Sequence, residues 1–162
     1  LRSISRLRNK RLAVYQSLID RCENESKRQR KLLKNKRKAS AKYERQQRDV
    51  LHKASRQLVK FCQEQGVSQI AVGDVKDIQN EINLGRKCNQ KVSQWPHGQF
   101  VKYVGYKAKQ LGIGMEQIAE DYSTKTCSEC GQVLKNAPRG REYICPGCGA
   151  RLSRDGNGGA NI

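Results

Sequence analysis

Two cysteine hairpins near the C-terminal end constrain this chain more than any other feature. Cys127-Ser128-Glu129-Cys130 and Cys145-Pro146-Gly147-Cys148 read C-x2-C, fourteen intervening residues, C-x2-C. Thiolates at this separation grip one ion from a single turn, and two such turns complete a tetrahedron. A glycine follows each hairpin, Gly131 and Gly149, where the backbone must turn its amides toward the sulfurs. Between the hairpins, Pro138, Gly140 and Tyr143 suit a turn and a short strand. The layout is that of a zinc ribbon, with Cys127, Cys130, Cys145 and Cys148 holding one Zn ion; an iron–sulfur cluster is the runner-up. All four positions are filled by protein, so the ion is structural and not catalytic. Cys22, Cys62 and Cys88 show no such spacing, and Cys62, in an apolar helical stretch, reads as a small core residue. Nothing suggests a disulfide scaffold, which favours a reducing compartment and a cytoplasmic, nucleoid-associated protein.

Charge narrows the partners. The net charge is +18, and residues 1–66 carry 20 Lys/Arg against 6 Asp/Glu, while residues 67–162 carry 13 against 9. A field of that size attracts polyanions, and nucleic acid is the commonest polyanion a soluble protein meets. No apolar run approaches the roughly 18–20 residues of a membrane span, so no membrane partner is expected. Position 1 is Leu rather than Met, and the chain stops at Ile162 in what reads as a helix start. A fragment of a longer protein is the expectation, with an N-terminal remainder of that protein as a partner.

The organisation reads as α/β. Residues 1–66 form a basic helical arm, with no Pro and with Gly66 as its C-cap. Val50, Leu51, Ala54, Leu58 and Phe61 supply one apolar helical stripe. Lys27 to Lys38 has eight basic residues in twelve and reads as a helix or bend that touches phosphate or is simply solvated, in a basic connection between two antiparallel helices, with Lys31, Lys34, Arg37 and Lys38 as candidate phosphate contacts. Residues 67–121 read as strand, helix, strand. Ser68 to Gly73 is a short buried strand, Lys76 to Lys91 a loop, Trp95-Pro96 the start of a helix, and Ile113 to Glu120 a second strand. A helix of that length between them implies a crossover and parallel strands. The ribbon follows over residues 122–152, and Arg139, Arg141, Arg151 and Arg154 surround it as a phosphate clamp or a solvated rim.

Asp155 stands in the closing run Arg154-Asp155-Gly156-Asn157-Gly158-Gly159-Ala160-Asn161-Ile162. A lone Asp at a helix start is either an N-cap or a ligand to a hard cation. Phosphodiester hydrolysis with two Mg ions needs several such carboxylates converging on the metals.

At this point the residues resemble a known family. Tyr122-Ser123-Thr124-Lys125-Thr126-Cys127-Ser128-Glu129-Cys130-Gly131 is similar to the lead-in to the ribbon of OrfB/TnpB proteins of bacterial insertion sequences. Ser153 to Ile162 resembles their third RuvC motif, and Asn89-Gln90-Lys91-Val92-Ser93-Gln94-Trp95 and Tyr106-Lys107-Ala108 are also similar. The resemblance covers roughly Arg45 to the end. It implies a partial RNase H-like (RuvC) core with the ribbon inserted, a catalytic Asp155, Mg as the catalytic ion, and DNA and a guide RNA as partners. Type V CRISPR effectors share the architecture. Two departures stand out. The family's first motif, an Asp in an early strand, is expected upstream of residue 1, so the chain alone is expected to be inactive. Its second motif reads apolar-x-apolar-Glu, whereas this chain has Ile70-Ala71-Val72-Gly73. Asp74 is adjacent, but one step along a strand turns the side chain to the other face. Glu120, closing the second strand, is the better replacement. The function implied is the C-terminal part of an RNA-guided DNA endonuclease. A nuclease-dead nucleic-acid-binding protein, either a CRISPR-type targeting subunit or a decayed transposon fragment, is the alternative.

Overall fold

The computed structural model describes residues 1–75, 83–136, 138 and 140–162. The chain divides into two compact units, Leu1–Gly66 with Leu84–Lys107, and Val67–Asn83 with Ala108–Ile162. Among the described residues no helix is long and apolar enough to cross a membrane.

The first unit is helical. α1 (Arg2–Ile19) and α2 (Lys27–Glu64) form an antiparallel hairpin, since Arg8 meets Ser40 and Glu44 while Gln16 meets Lys36. The basic run is not the connection. It forms the first three turns of α2, and the connection is Asp20–Ser26, where Ser26 Oγ accepts from Gln29 N at 3.1 Å and Gln29 Oε1 from Glu25 N at 2.8 Å. Ser26-Lys27-Arg28-Gln29 is a capping signal, and satisfying the first free amides fixes the helix start there. The apolar stripe also sits differently from the expectation. Leu51, Ser55, Val59 and Cys62 are buried, whereas Leu58 and Phe61 are exposed. The polar Ser55 belongs to the buried face because Lys107 Nζ donates to its hydroxyl at 2.6 Å and to the His52 carbonyl at 2.7 Å. Position 55 therefore interrupts the apolar pattern that periodicity follows.

α3 (Arg86–Ser93) and α4 (His97–Gln110) follow. The expected loop over Lys76 to Lys91 is corrected in its second half, which is helical from Arg86; residues 76–82 lie outside the described residues. Gln94 and Asn9 exchange amide hydrogen bonds at 3.0 and 3.3 Å. His52 stacks on Tyr103 with ring centroids 4.0 Å apart, and Lys107 lies 5.7 Å from the Tyr106 ring centroid. Burial lowers the Lys107 ammonium below its ordinary value, and the Arg56 charge adds to this. Tyr106-Lys107 thus ties α4 to α2.

The second unit holds the strands. β1 (Gln69–Gly73) and β2 (Gly114–Ile118) pair in parallel, from Gln69 opposite Gly114 to Gly73 opposite Ile118. The parallel pairing is the one the strand–helix–strand pattern implies. β2 is shorter than expected, and Glu120 stands two residues beyond its end. Its carbonyl accepts from Ser123 N at 3.2 Å, which starts a turn in place of further strand. β3 (Glu142–Ile144) and β4 (Arg151–Ser153) form an antiparallel pair, with Tyr143 opposite Leu152. α5 (Arg154–Ala160) leaves β4 without a loop.

Candidate functional site

The four hairpin cysteines come together. Their Sγ atoms all lie within 4.8 Å of one another, with Cys127 and Cys148 at 3.7 Å and Cys130 and Cys145 at 3.6 Å. A tetrahedral Zn with Zn–S near 2.3 Å sets its sulfurs about 3.8 Å apart, so the cluster fits one such ion and is far too open for disulfides. The two knuckles repeat one another. Cys127 N donates to Gln132 O at 2.9 Å and Gly131 N to Cys127 O at 2.8 Å; Cys145 N donates to Ala150 O and Gly149 N to Cys145 O, both at 3.0 Å. Gly131 at φ +74 and Gly149 at φ +73 make these turns, in a region that costs any other residue steric strain.

The thiols are not equivalent. Backbone N–H groups of Cys148 and Gly147 outweigh burial and lower Cys145 to about 6, so it offers its thiolate first. The Gln132 amide lowers Cys130, but hydrogen bonds to Cys148 and Cys145, with burial, push it up to about 12. A metal ion supplies the charge that lets four adjacent thiolates coexist. Behind the cluster lies a small core of Cys127, Tyr143 and Cys145, packed on by Leu134, Ala150 and Leu152. Tyr143 is wholly buried there and donates its hydroxyl to Lys125 O at 3.2 Å.

α5 is docked on the first knuckle by two asparagines. Asn157 Nδ2 donates to Thr126 O at 2.7 Å while its Oδ1 accepts from Ser128 N at 2.9 Å; Asn161 Nδ2 donates to Ser123 O at 2.9 Å and Thr126 O at 2.7 Å. Sequence reasoning assigned these asparagines no role, although their four-residue spacing puts both on one face of a helix. Asn157→Ala is expected to lower stability by about 1–3 kcal/mol, because Thr126 O and Ser128 N lose a buried partner. Thermal melting checks this, and an unchanged midpoint would place the anchor elsewhere.

The docking presents Asp155. The N-cap of α5 is Ser153, whose Oγ accepts from Gly156 N at 3.0 Å, so the cap reading of Asp155 fails. The Asp155 carboxylate is 89% exposed and its one ion pair among the described residues is Arg154, 3.6 Å away. Arg154 N donates to Arg141 O at 2.7 Å, which sets the backbones of these two arginines side by side. Arg139 lies outside the described residues. Lys31, Lys34, Arg37 and Lys38 are exposed on α2. They belong to the first unit, whereas Asp155 belongs to the second.

Position 73 gives the least expected geometry. A Cβ built on Gly73 would land inside the Glu120 carboxyl group, at Oε1, Cδ and Cγ. The Glu120 side chain therefore fills the volume that a side chain at 73 would take, across the end of the parallel pair. Asp74 follows, exposed, with its amide donating to Ile118 O at 2.8 Å. Two sequence signals point to this pair: the Gly at the end of the first strand and the Glu at the expected end of the second.

Comparison with known proteins decides the family. A model described as "Probable transposase" (OrfB_IS605) matches residues 5–79, and one described as "Cas12f1-like, TNB domain" matches residues 97–162. The TnpB-like protein ORF457 of Acidianus two-tailed virus is 31% identical over 156 residues, 95% of this chain and 33% of the relative. The chain belongs to the TnpB family. This TnpB-family chain is related to type V effectors: Cas12f1 of Sulfoacidibacillus thermotolerans, a CRISPR-associated endodeoxyribonuclease, is 28% identical over 68% of the chain and 25% of the relative. The fold also matches a Cas12f1 chain solved as a Cas12f1-sgRNA-target DNA complex, with a TM-score of 0.67 over 95% of the TnpB-family chain and 40% of the other, at 19% identity. The chain thus spans a third or less of the length of these curated relatives.

Proposed function

We propose that this chain is the C-terminal part of a transposon-associated, RNA-guided DNA endonuclease with an RNase H-like (RuvC) core. Glu120 and Asp155 are carboxylates of its active centre. One observation carries the proposal: the Glu120 carboxyl group occupies the space that Gly73 leaves empty, at the position where the family's second motif has its Glu. Both residues present hard oxygen donors, which suit Mg ions, and a further Asp from outside the chain completes the set. Mg supplies an activated water and neutralises the leaving oxygen when bound. Asp155 is held exposed at its helix start by the two asparagines, with Arg154 paired to it and Arg141 beside the Arg154 backbone, both able to reach phosphate.

In this reading the basic arm 1–66 lies against guide RNA or DNA, 67–121 carries Glu120, the ribbon 122–152 sets the position of α5, and 153–162 presents Asp155. The name of the Cas12f1 complex, with guide RNA and target DNA, supports both partners. The test is Mg-dependent cleavage of a matched target by the full gene product with its guide RNA. Asp155→Asn is expected to cut roughly a thousandfold slower, several kcal/mol of lost charge stabilisation, with guide-RNA binding retained. A variant cutting at the wild-type rate would remove Asp155 from the active centre, and a wild-type protein that binds RNA and never cuts would leave the nuclease-dead reading in its place.

A further inference from the structure

Tyr122 is held in a conformation that its side chain does not explain. Its φ is +61, in the left-handed region, and among the described residues Glu25 is the one other non-glycine there. A bulky residue is disfavoured in that region, where Gly sits without strain. The fold does need this backbone. The Tyr122 carbonyl accepts from Lys125 N at 2.8 Å, Thr126 N at 2.9 Å and Thr126 Oγ1 at 3.0 Å, and these bonds shape the approach to the first knuckle. None of them uses the ring. The residue is 65% exposed, and the ring's neighbour is the Lys125 ammonium, 5.5 Å from its centroid. Glu120 is two residues away on the same turn.

We propose that Tyr122, together with Lys125, is a stacking site for one unpaired base of a single-stranded nucleic acid, holding that strand beside Glu120. An open aromatic face stacks any base without reading its identity, and the adjacent ammonium takes the phosphate. Bases inside a duplex have both faces covered, so the occupant is a single strand. The proposal rests on the nuclease reading for its purpose and on the strained, exposed tyrosine for its site.

The test uses the full gene product and a short single-stranded oligodeoxynucleotide carrying 2-aminopurine, whose fluorescence is quenched on stacking, with Mg omitted. Tyr122→Gly is expected to weaken binding about tenfold and to lose most of the quench, while its melting temperature stays the same or rises. Tyr122→Phe is expected to keep both affinity and quench. Wild-type affinity in Tyr122→Gly would overturn the proposal, and so would a lower melting temperature, which would make the ring a packing group. Binding here is read without cleavage, so it does not depend on Glu120 being a metal ligand. That reading stands or falls on cleavage by Glu120→Gln.

Discussion

Glu120→Gln is expected to slow Mg-dependent cleavage by roughly a thousandfold in the full gene product, and moving the carboxylate to position 73 is expected to recover most of it. Gln keeps the size of the side chain and its place over Gly73 but removes the charge that a hard cation requires. Gly73→Ala should be nearly as damaging as Glu120→Gln, because the new Cβ falls where the Glu120 carboxyl group sits and pushes it aside. Gly73 has no positive φ, so its backbone accepts a side chain once that space is cleared. The double variant Gly73→Glu/Glu120→Gly clears it and rebuilds the family's usual second motif. Rates measured on the four proteins decide the matter. If the double variant is as inactive as Glu120→Gln while still folded and RNA-bound, the two positions are not interchangeable and the exchange is wrong.

Removing one cysteine of the cluster is expected to have the next largest effect, and to slow cleavage severely without touching a carboxylate. Cys148→Ser should reduce bound zinc from about one ion per chain to a small fraction of that, as read by metal analysis. The core behind the cluster is Cys127, Tyr143 and Cys145 with three partly buried neighbours, too little apolar area to hold a domain of this kind without its ion. When the first knuckle opens, Thr126 O and Ser128 N leave Asn157 and Asn161 without their partners. α5 has seven residues, three of them Gly, and has no stability of its own. Hydrogen exchange should therefore show lost protection across the ribbon and α5 together, with β1 and β2 much less affected. Protection of α5 surviving zinc loss would separate the helix from the metal and sink this coupling.

The convergence of the four cysteines was fully legible in the sequence, because metal coordination fixes residue type and spacing at once. The parallel pair was legible too, since Ile70-Ala71-Val72 is a short apolar run between turn signals, although Gln69 and Ala71 are exposed and Ile70 and Val72 half-buried where a buried strand is expected. The buried face of α2 was not. Ser55 is polar by type and buried only because Lys107, fifty-two residues away, reaches its hydroxyl. The start of α2 was readable from Ser26 and Gln29, but the dense charge after it resembles a solvated connection. Of the two carboxylates proposed for the active centre, Asp155 stood in a motif, whereas the Glu120 side chain packs over a strand it is not part of. Its place at the end of the second expected strand named it as a candidate, but the volume it fills over Gly73 leaves no mark on periodicity or spacing.

The long second helix carries a last consequence. Thirty-eight residues at a rise of 1.5 Å make a rod about 57 Å long. Its buried side chains, Leu51, Ser55, Val59 and Cys62, lie toward one end, and Lys31, Lys34, Arg37 and Lys38 toward the other. It is a boom, moored at its foot and braced by α1 along its outer length. A polyanion laid beside it would be followed for about 17 base steps at 3.4 Å each. Charge changes at the tip would then alter how a polyanion is followed without disturbing the side chains buried at the other end of the helix.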